Sequence, residues 1–312
     1  NLADLNETSN LFNNFFTSIA CQIRLKIRQN EVNFNDYLGV VNIFSFELIP
    51  CSPDDIIKLI DSLNTSKSIG PNSIPTFILK ELKDVFSSPL SFLFNQTFTQ
   101  GKFPDILKLA SVIPLYKSGD RDSCSNYRPI SLLSNIGKLL EKIVHSQLYE
   151  FFERSNLFYD LQFGFRLNSS TNHALISIID KIQSNLDKGL LTCGVFVDLK
   201  KAFDTVDHHI LIEKLKHYGV RGSPLNWFFS YFENRSQFVR VNGNSSNTNS
   251  IEFGVPQGSI LGPLLFKTFI NDLYRAIPNS VIHQFADDTN LLLSDISVIK
   301  LTLKMNHDLT CL

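Results

Sequence analysis

Two patterns of apolar residues alternate along this chain. In long stretches apolar residues recur every three or four positions, which predicts amphipathic helices, and in short stretches apolar and β-branched residues cluster, which predicts strands. Helices are predicted within residues 1–50 and over about 52–63, 75–85, 90–99, 136–155, 172–188, 208–218 and 224–233. Strands are predicted over 110–116, 195–199, 237–242, 250–253, 282–285 and 289–293. Helical blocks mixed with hairpins indicate an α+β fold.

The composition indicates a folded protein. The chain has 312 residues, 43% of them hydrophobic and 19% charged, which is enough apolar material for a large core in one large domain or about two. The 29 Lys and Arg nearly balance the 30 Asp and Glu. Any contact with nucleic acid therefore has to come from a local basic patch.

Several classes of protein are excluded by simple features. The five cysteines lie far apart without a C-x-x-C pair, so we expect reduced thiols and no structural zinc site. No uncharged apolar run approaches about 20 residues, so we expect no membrane span. The first 20 residues lack the basic segment of a signal peptide. Because the only methionine is Met305, we expect a piece of a longer product.

Acidic residues in apolar strands are the features that point to chemistry. The two-residue period of a strand places Phe196 and Asp198 on one face of a strand that we predict to be buried, where a carboxylate needs a cation or strong hydrogen bonds. Asp287 and Asp288 are adjacent between two predicted strands. If Asp198 and Asp287 meet on neighbouring strands, they can hold a pair of Mg²⁺ ions. Each feature alone is also explained by a solvated hairpin or by a salt bridge.

Seven segments, taken in order, resemble the reverse transcriptase domain of jockey-like non-LTR retrotransposons. The resemblance is carried by residues 68–75 (SIGPNSIP), 112–120 (VIPLYKSGD), 126–131 (NYRPIS), 162–166 (QFGFR), 197–204 (VDLKKAFD), 254–263 (GVPQGSILGP) and 285–288 (FADD). The segment at 197–204 resembles motif A of that family, 254–263 resembles motif B, and 285–288 resembles motif C. These segments extend over nearly the whole chain.

The resemblance implies a right-hand polymerase with fingers and a palm, the palm being an antiparallel sheet backed by helices. By this reading the chain divides into a helical extension (1–50), fingers (51–135), a first palm part with motif A (136–218), an insertion with a hairpin (219–253) and a second palm part with motifs B and C (254–312). We expect the thumb to be absent or truncated. The location implied for a retroelement protein is intracellular, in the nucleus or the cytoplasm.

The resemblance also implies the activity: RNA-directed DNA polymerisation, in which a primer 3′-hydroxyl attacks the α-phosphate of a dNTP. Asp198, Asp287 and Asp288 would be the catalytic acids and the ligands of two Mg²⁺ ions, with Mn²⁺ as an alternative, and Asp288 would be the weaker or indirect ligand. The implied partners are an RNA template, a DNA primer and dNTPs. The alternatives are an inactive, truncated remnant that at most binds nucleic acid, and an RNA-dependent RNA polymerase.

Further residues receive candidate roles from the same resemblance. Lys117 and Arg128 would hold the triphosphate, one as a point charge and the other as a bidentate fork; the alternative is ordinary surface cations. Phe203 would exclude a ribose 2′-hydroxyl, or else be one more core ring. Gln257 would hydrogen-bond near the incoming nucleotide, or else belong to a plain turn. Arg166 would contact template phosphate.

Three local expectations complete the picture. Asp204 begins a capping-box pattern, so we predict that it caps the helix at 208–218. Lys267 stands where an apolar residue is expected, and its stem can reach along the surface to keep the ammonium in water. The resemblance implies that the segment before Asn271 is an aromatic-rich strand.

Overall fold

The computed structural model describes residues 5–27, 33–65 and 69–312. Within these residues the helices are α1 (Leu5–Arg24), α2 (Pro53–Asp61), α3 (Thr76–Glu81), α4 (Lys83–Gln100), α5 (Asn135–Arg154), α6 (Thr171–Asp187), α7 (His208–His217), α8 (Ser223–Phe232), α9 (Gly262–Ile270) and α10 (Val298–Cys311). The strands are β1 (Leu109–Tyr116), β2 (Tyr127–Leu132), β3 (Leu191–Asp198), β4 (Ser236–Val241), β5 (Asn244–Ser245), β6 (Asn249–Ser250), β7 (Val281–Phe285) and β8 (Asp288–Asp295). Ser68, where the first matching segment begins, lies outside the described residues.

The strands form two separate sheets. In the first, β1 pairs antiparallel with β2 and parallel with β4, and the short strands β5 and β6 add to β4. The second sheet is antiparallel in the order β3-β8-β7 and carries both acidic segments. The predicted mixture of helices with antiparallel pairs is confirmed, and it is compatible with the fingers and palm of a reverse transcriptase.

A large aromatic core joins most of the helices. Phe103 meets Trp227 and Tyr231 edge-on, at ring-centroid distances of 5.3 and 5.1 Å, and all three side chains are fully buried. A smaller core lies on one face of the three-stranded sheet, where Leu301 and Met305 of α10 pack against the strands. Burying a side chain of this kind contributes about 1.5–3 kcal/mol. Helix α10 therefore supports this face of the sheet.

Local signals place several elements correctly. Ser52 caps α2, and the Asp55 carboxylate accepts a hydrogen bond from the Ser52 amide in a complete capping box. In α1 the apolar stripe is buried at Phe12, Phe16 and Ile19. In the described part of the chain, no helix combines the length and the apolar character that crossing a bilayer requires.

Four expectations about the elements are wrong. Helix α4 begins at Lys83 and runs through Pro89, because the buried residues on both sides of the proline hold the helix despite the lost backbone hydrogen bond. Strand β3 is open to solvent on one face, where Phe196 is 76% exposed. The predicted strand at 250–253 is reduced to β6, and the segment before Asn271 is helix α9. Strand β2 and helix α10 were not predicted.

Candidate active site

Asp198 and Asp288 lie directly opposite each other in the antiparallel pair of β3 and β8. Residues paired in this way point to the same face of a sheet. Both side chains are exposed, and Asp198 shares its face with Phe196, as the two-residue period predicts. The fold thus places a carboxylate of the motif A segment against one of the motif C segment, 90 positions later in the chain.

Asp287 occupies a tight turn beside this pair. Strands β7 and β8 are joined by two residues, Ala286 and Asp287, with Phe285 paired to Asp288. Ala286 has a positive φ of 57°, whereas Asp287 does not. A positive φ at the first central residue only is the pattern of a type II′ turn, whose twist suits a two-residue hairpin. Asp287 is half-buried at the tip of this turn.

A groove of about 380 Å³ runs along the open face of the sheet beside the paired acids. Helix α6 forms one wall, and Phe196, Asp198 and Asp288 belong to the other side. Solvent and solutes therefore have direct access to these carboxylates.

The donor chemistry of the three acids fits a hard divalent cation, which prefers carboxylate oxygens. Among the described residues, Asp198, Asp287 and Asp288 form no ion pair that would occupy them. The described part of the chain also contains no group of three His, Cys, Asp or Glu side chains arranged closely enough to hold a metal ion. Two of the acids are brought together by register, and the third adjoins them on the turn.

A group of basic residues lies close to Lys201, just beyond the end of β3. Lys117 follows β1 and Arg128 lies in β2, on the hairpin in which Leu115 pairs with Arg128, and both side chains are exposed. Lys201, three residues after Asp198, donates through Nζ to the carbonyls of Ser125 (3.2 Å) and Tyr127 (3.1 Å). This contact docks the hairpin beside the end of β3.

Several charged groups near Lys201 affect its pKa. Burial lowers this pKa, and the positive charges of Lys117, Arg128 and Lys200 lower it further, while the carboxylate of Asp204 acts in the opposite direction. A surplus of positive charge thus lies within a few residues of Asp198. An anionic ligand such as a phosphate group would reduce the repulsion among these cations.

Phe203 has contacts that fit both of its candidate roles. Its half-buried ring stacks on the buried Phe266, with ring centroids 4.5 Å apart, and meets Phe165 edge-on at 6.0 Å. The ring therefore lies at the edge of the aromatic core. Because one part of it stays accessible, the ring can also limit what binds beside it.

Gln257 and Asp204 are bonded to each other. The Gln257 Nε2 donates to the Asp204 carboxylate at 2.7 Å, so this side chain already has a partner within the protein. Burial raises the pKa of Asp204, although the Gln257 hydrogen bond and the charge of Lys201 counteract the effect. The prediction that Asp204 caps helix α7 is wrong: Asp207 is the cap, and it accepts from the amides of His209 and Ile210.

Two glycines allow the motif B segment to pack tightly. Gly254 has a φ of 86°, and a Cβ there would lie 2.8 Å from the Asp204 carbonyl oxygen. Gly258 has a φ of 126°, and a Cβ there would lie 2.5 Å from the Ser131 carbonyl oxygen. Both glycines thus approach the backbone of the protein closely.

Arg166 is engaged within the chain. Its Nε lies 3.4 Å from the Glu153 carboxylate, and its guanidinium also donates to the carbonyls of Tyr159 and Asp160. The side chain is 23% exposed. Contact with template phosphate would have to use the remaining exposed part of the guanidinium.

Lys201 and Gln162 carry contacts that sequence reasoning did not assign. Lys201 joins the β1–β2 hairpin to the end of β3, and Gln162 contacts the Ala286–Asp287 turn. The only signals in the sequence are a second lysine directly after Lys200 and a polar side chain between apolar neighbours at 162. Neither signal identifies the partner.

Comparison with known proteins places the chain among polymerases of mobile elements. Residues 116–309 match the family described as "Reverse transcriptase (RNA-dependent DNA polymerase)". The chain is 33% identical over 264 residues to the "Probable RNA-directed DNA polymerase from transposon BS" of Drosophila melanogaster, covering 80% of this chain and 28% of that protein.

Two further relatives from Drosophila melanogaster are similar to a comparable degree. The "RNA-directed DNA polymerase from mobile element jockey" is 30% identical over 278 residues, covering 86% of this chain and 30% of that protein. The "Probable RNA-directed DNA polymerase from transposon X-element" is 30% identical over 274 residues, covering 85% of this chain and 30% of that protein. The chain thus spans less than one third of the length of these relatives.

Proposed function

We propose a function from one premise: the chain belongs to the reverse transcriptase (RNA-dependent DNA polymerase) family, and its relatives are the polymerases of non-LTR retrotransposons. The proposed function is RNA-directed synthesis of DNA, by transfer of dNTPs onto a primer 3′-hydroxyl. The observation that carries the proposal is the pairing of Asp198 with Asp288 beside the Asp287 turn. This pairing assembles the acids of motifs A and C at one open edge.

We assign the parts of the hand from the two sheets. The β1–β2 hairpin of the first sheet belongs to the fingers (51–135), and the three-stranded sheet is the centre of the palm, divided between 136–218 and 254–312. Residues 219–253 form an insertion with a hairpin, and residues 1–50 form a helical extension. The template–primer would lie over the open face of the three-stranded sheet, since α10 and its apolar contacts cover the opposite face.

Asp198 and Asp287 would be the principal ligands of two Mg²⁺ ions, with Mn²⁺ as an alternative, and Asp288 would be a weaker or indirect ligand. Two such ions, when bound, supply charge stabilisation to the attacking and leaving oxygens of an in-line phosphoryl transfer. The protein's own contribution is to hold Asp198 and Asp288 in register, so that the carboxylates are already oriented when substrate arrives.

The remaining candidate residues surround the place where a dNTP would bind. Lys117 and Arg128 would hold the triphosphate, and Lys201 would hold the hairpin that carries them. Phe203 would limit access of a ribose 2′-hydroxyl. Gln257 would line the pocket through its backbone and its bond to Asp204, and Arg166 would reach the template.

A primer-extension assay tests the proposed function. The protein is incubated with poly(rA)/oligo(dT), dTTP and Mg²⁺, and the same reaction is run with the Asp287→Asn variant. Asparagine has nearly the shape of aspartate but lacks its charge, so we expect extension by the parent and its loss in the variant. Equal extension by both proteins would overturn the assignment of the acids.

Nucleic-acid binding without catalysis is the second candidate. It is favoured by the contrast between the basic group at Lys117, Arg128, Lys200 and Lys201 and the lack, among the described residues, of three grouped acids. In this case the parent binds a primer–template duplex without extending it, and the affinity falls steeply with salt concentration because the contacts are to phosphates.

A further inference from the structure

The side chain of Gln162 is buried against the turn that carries Asp287. Gln162 is 1% exposed. Its Oε1 accepts from the amide of Ala286 at 3.1 Å and from the amide of Gly164 at 2.8 Å, and its Nε2 lies 3.4 Å from the Ala286 carbonyl oxygen. One amide group thus contacts both backbone polar atoms of the first residue of the turn.

The backbone around Gln162 extends this contact along β7. The amide of Phe163 donates to the Gln284 carbonyl at 2.8 Å, and the amide of Gln284 donates to the Leu161 carbonyl at 2.9 Å. Gly164 lies so close to the turn that a Cβ on it would be 2.1 Å from the Ala286 nitrogen. The segment therefore acts as a short additional strand on the hairpin.

Lys267 fixes the other end of the same segment. Its Nζ donates to the Phe165 carbonyl at 3.1 Å and lies 3.5 Å from the centre of the Phe158 ring. Lys267 is 1% exposed, so its amino group is held inside the protein, and the expectation that it reaches water is wrong. Segment 162–165 is thus attached at both ends, which limits how far the turn can shift.

The turn needs such an acceptor because of its geometry. The central amides of a two-residue hairpin have no partner in the ladder between the strands, and Ala286 is buried at 8% exposure. A positive φ is also unfavourable for an alanine, so the turn persists only where its surroundings hold it. The Oε1 of Gln162 supplies the acceptor that the Ala286 amide requires.

We propose that Gln162 is a positioning residue for the Ala286–Asp287 turn, holding the Asp287 carboxylate in the orientation that divalent-ion binding needs. The inference rests on the proposed function, because Asp287 matters in this way only if it is a metal ligand. Gln162 itself would touch neither the nucleotide nor the ions. Its effect on the reaction would pass through the backbone of Ala286.

The test compares Gln162→Leu and Gln162→Asn with the parent. Leucine removes the acceptor, and asparagine withdraws the amide by one methylene group while keeping the site polar. Gln237→Leu is the matched control: Gln237 is also buried, at 6% exposure, and bonds to Asn13 in the other sheet region. Two properties are measured on the free protein. The first is hydrogen exchange of peptides that contain Ala286, and the second is binding of Mn²⁺, monitored through the EPR signal of the free ion.

We expect both Gln162 variants to exchange faster at Ala286 and to bind Mn²⁺ at least about 10-fold more weakly, the usual effect of losing a partner of a metal ligand. Gln237→Leu should leave both properties as in the parent. Gln162→Glu keeps an acceptor for the two amides, so it should retain most of the protection at Ala286. If Gln162→Leu does not fold, Gln162→Glu and Gln162→Asn test the proposed role of Gln162.

Each other result has a distinct meaning. Unchanged exchange at Ala286 in the Gln162 variants would show that the contact does not hold the turn, and the inference would be wrong. Faster exchange with unchanged Mn²⁺ binding would also overturn it, since the turn would then move without consequence for Asp287. A parent protein that neither binds Mn²⁺ nor extends a primer would instead overturn the proposed function, and with it the role of Gln162.

Discussion

Asp198 lies directly opposite Asp288 as the last pair of a register that runs unbroken from Leu191 and Asp295 to the end of β3. Seven residue pairs precede the two acids, so a slip of one residue would turn Asp198 to the opposite face of the sheet. The apolar residues of β3 and β8 that pack against α10 therefore fix the acids as well. The fold therefore holds the carboxylates of Asp198 and Asp288 close together although their like charges repel each other.

The repulsion can be measured through Asp198→Asn. Like charges directly opposite in an antiparallel pair destabilise it by about 0.2–1 kcal/mol, so in EDTA we expect the free energy of unfolding of the variant to exceed that of the parent by this amount. Mg²⁺ should stabilise the parent and have much less effect on the variant. Urea unfolding with EDTA and with Mg²⁺ measures both effects.

Asp295→Asn is the control for this prediction, because Asp295 lies at the other end of β8 and forms an ion pair with Lys304 at 2.9 Å. The Lys304 hydrogen bond lowers the pKa of Asp295, so the charged form is favoured in the folded protein. Its replacement should not raise stability in EDTA. A parent that is more stable than Asp198→Asn without metal would contradict the proposed crowding of the two acids.

Phe203→Ala is expected to relax the choice of sugar. The ring stacks on Phe266 and has an accessible part, and its removal would open space for a 2′-hydroxyl. The ratio of dNTP to NTP incorporation should fall, and the variant should also be less stable, by up to about 3 kcal/mol for a half-buried ring. Primer extension with dTTP and UTP gives the ratio.

The control for Phe203 is Phe103→Leu, in a fully buried ring that packs on Trp227 and Tyr231. This variant should lose stability without any change in sugar preference. If Phe203→Ala loses stability in the same way and keeps the preference of the parent, the ring is a core residue only.

Arg128→Lys should raise the KM for dNTP. Lysine keeps the charge but cannot form the bidentate contact of a guanidinium, and losing a charge-assisted hydrogen bond costs about 1.5–3 kcal/mol, or roughly 10- to 100-fold in KM. Lys117→Ala should raise KM to a similar extent. Lys58→Ala, in an exposed lysine on α2, is the control and should leave KM unchanged. Values of KM that match the parent in both basic variants would remove these residues from the nucleotide site.

Much of the fold follows from local sequence. The N-cap at Ser52 and the hairpin of β7 and β8 depend on residues within a few positions, although the turn is shorter than expected because Asp288 belongs to β8. Helix α10 was missed because its buried positions, Leu301 and Met305, lie among polar residues. Pro89 misled the prediction of α4, since tertiary packing on both sides of the proline outweighs one missing hydrogen bond.

The sequence points to the acids of the candidate site, but it does not point to the residues whose contacts hold that site together. Asp198 and Asp287 stand out because carboxylates are rare in apolar strands, and their motifs are distinctive. Lys201, Gln162 and the bond between Gln257 and Asp204 depend on contacts between segments 53 to 124 positions apart. A residue's type at one position carries no information about a partner so far away along the chain.

Lys267 provides a prediction about pH. Burial lowers the pKa of Lys267 to about 7, although the negative charge of Glu153 favours the ammonium form. In the unfolded chain a lysine titrates near 10.4. Between about pH 7 and pH 10.4 the unfolded chain therefore binds a proton that the native protein does not, so this group makes the free energy of unfolding rise with pH, by at most about 1.4 kcal/mol per unit.

Lys267→Met isolates this contribution, because methionine fills the space between Tyr149 and Phe158 without titrating. The free energy of unfolding of the parent minus that of the variant should increase from pH 7 to pH 10, since all other titrating groups cancel in the difference. Urea unfolding at a series of pH values measures it, with the exposed Lys58→Met as a control that should give a flat difference. A flat or falling difference for Lys267→Met would mean that the ammonium stays charged inside the protein, held by the Phe165 carbonyl and the aromatic rings.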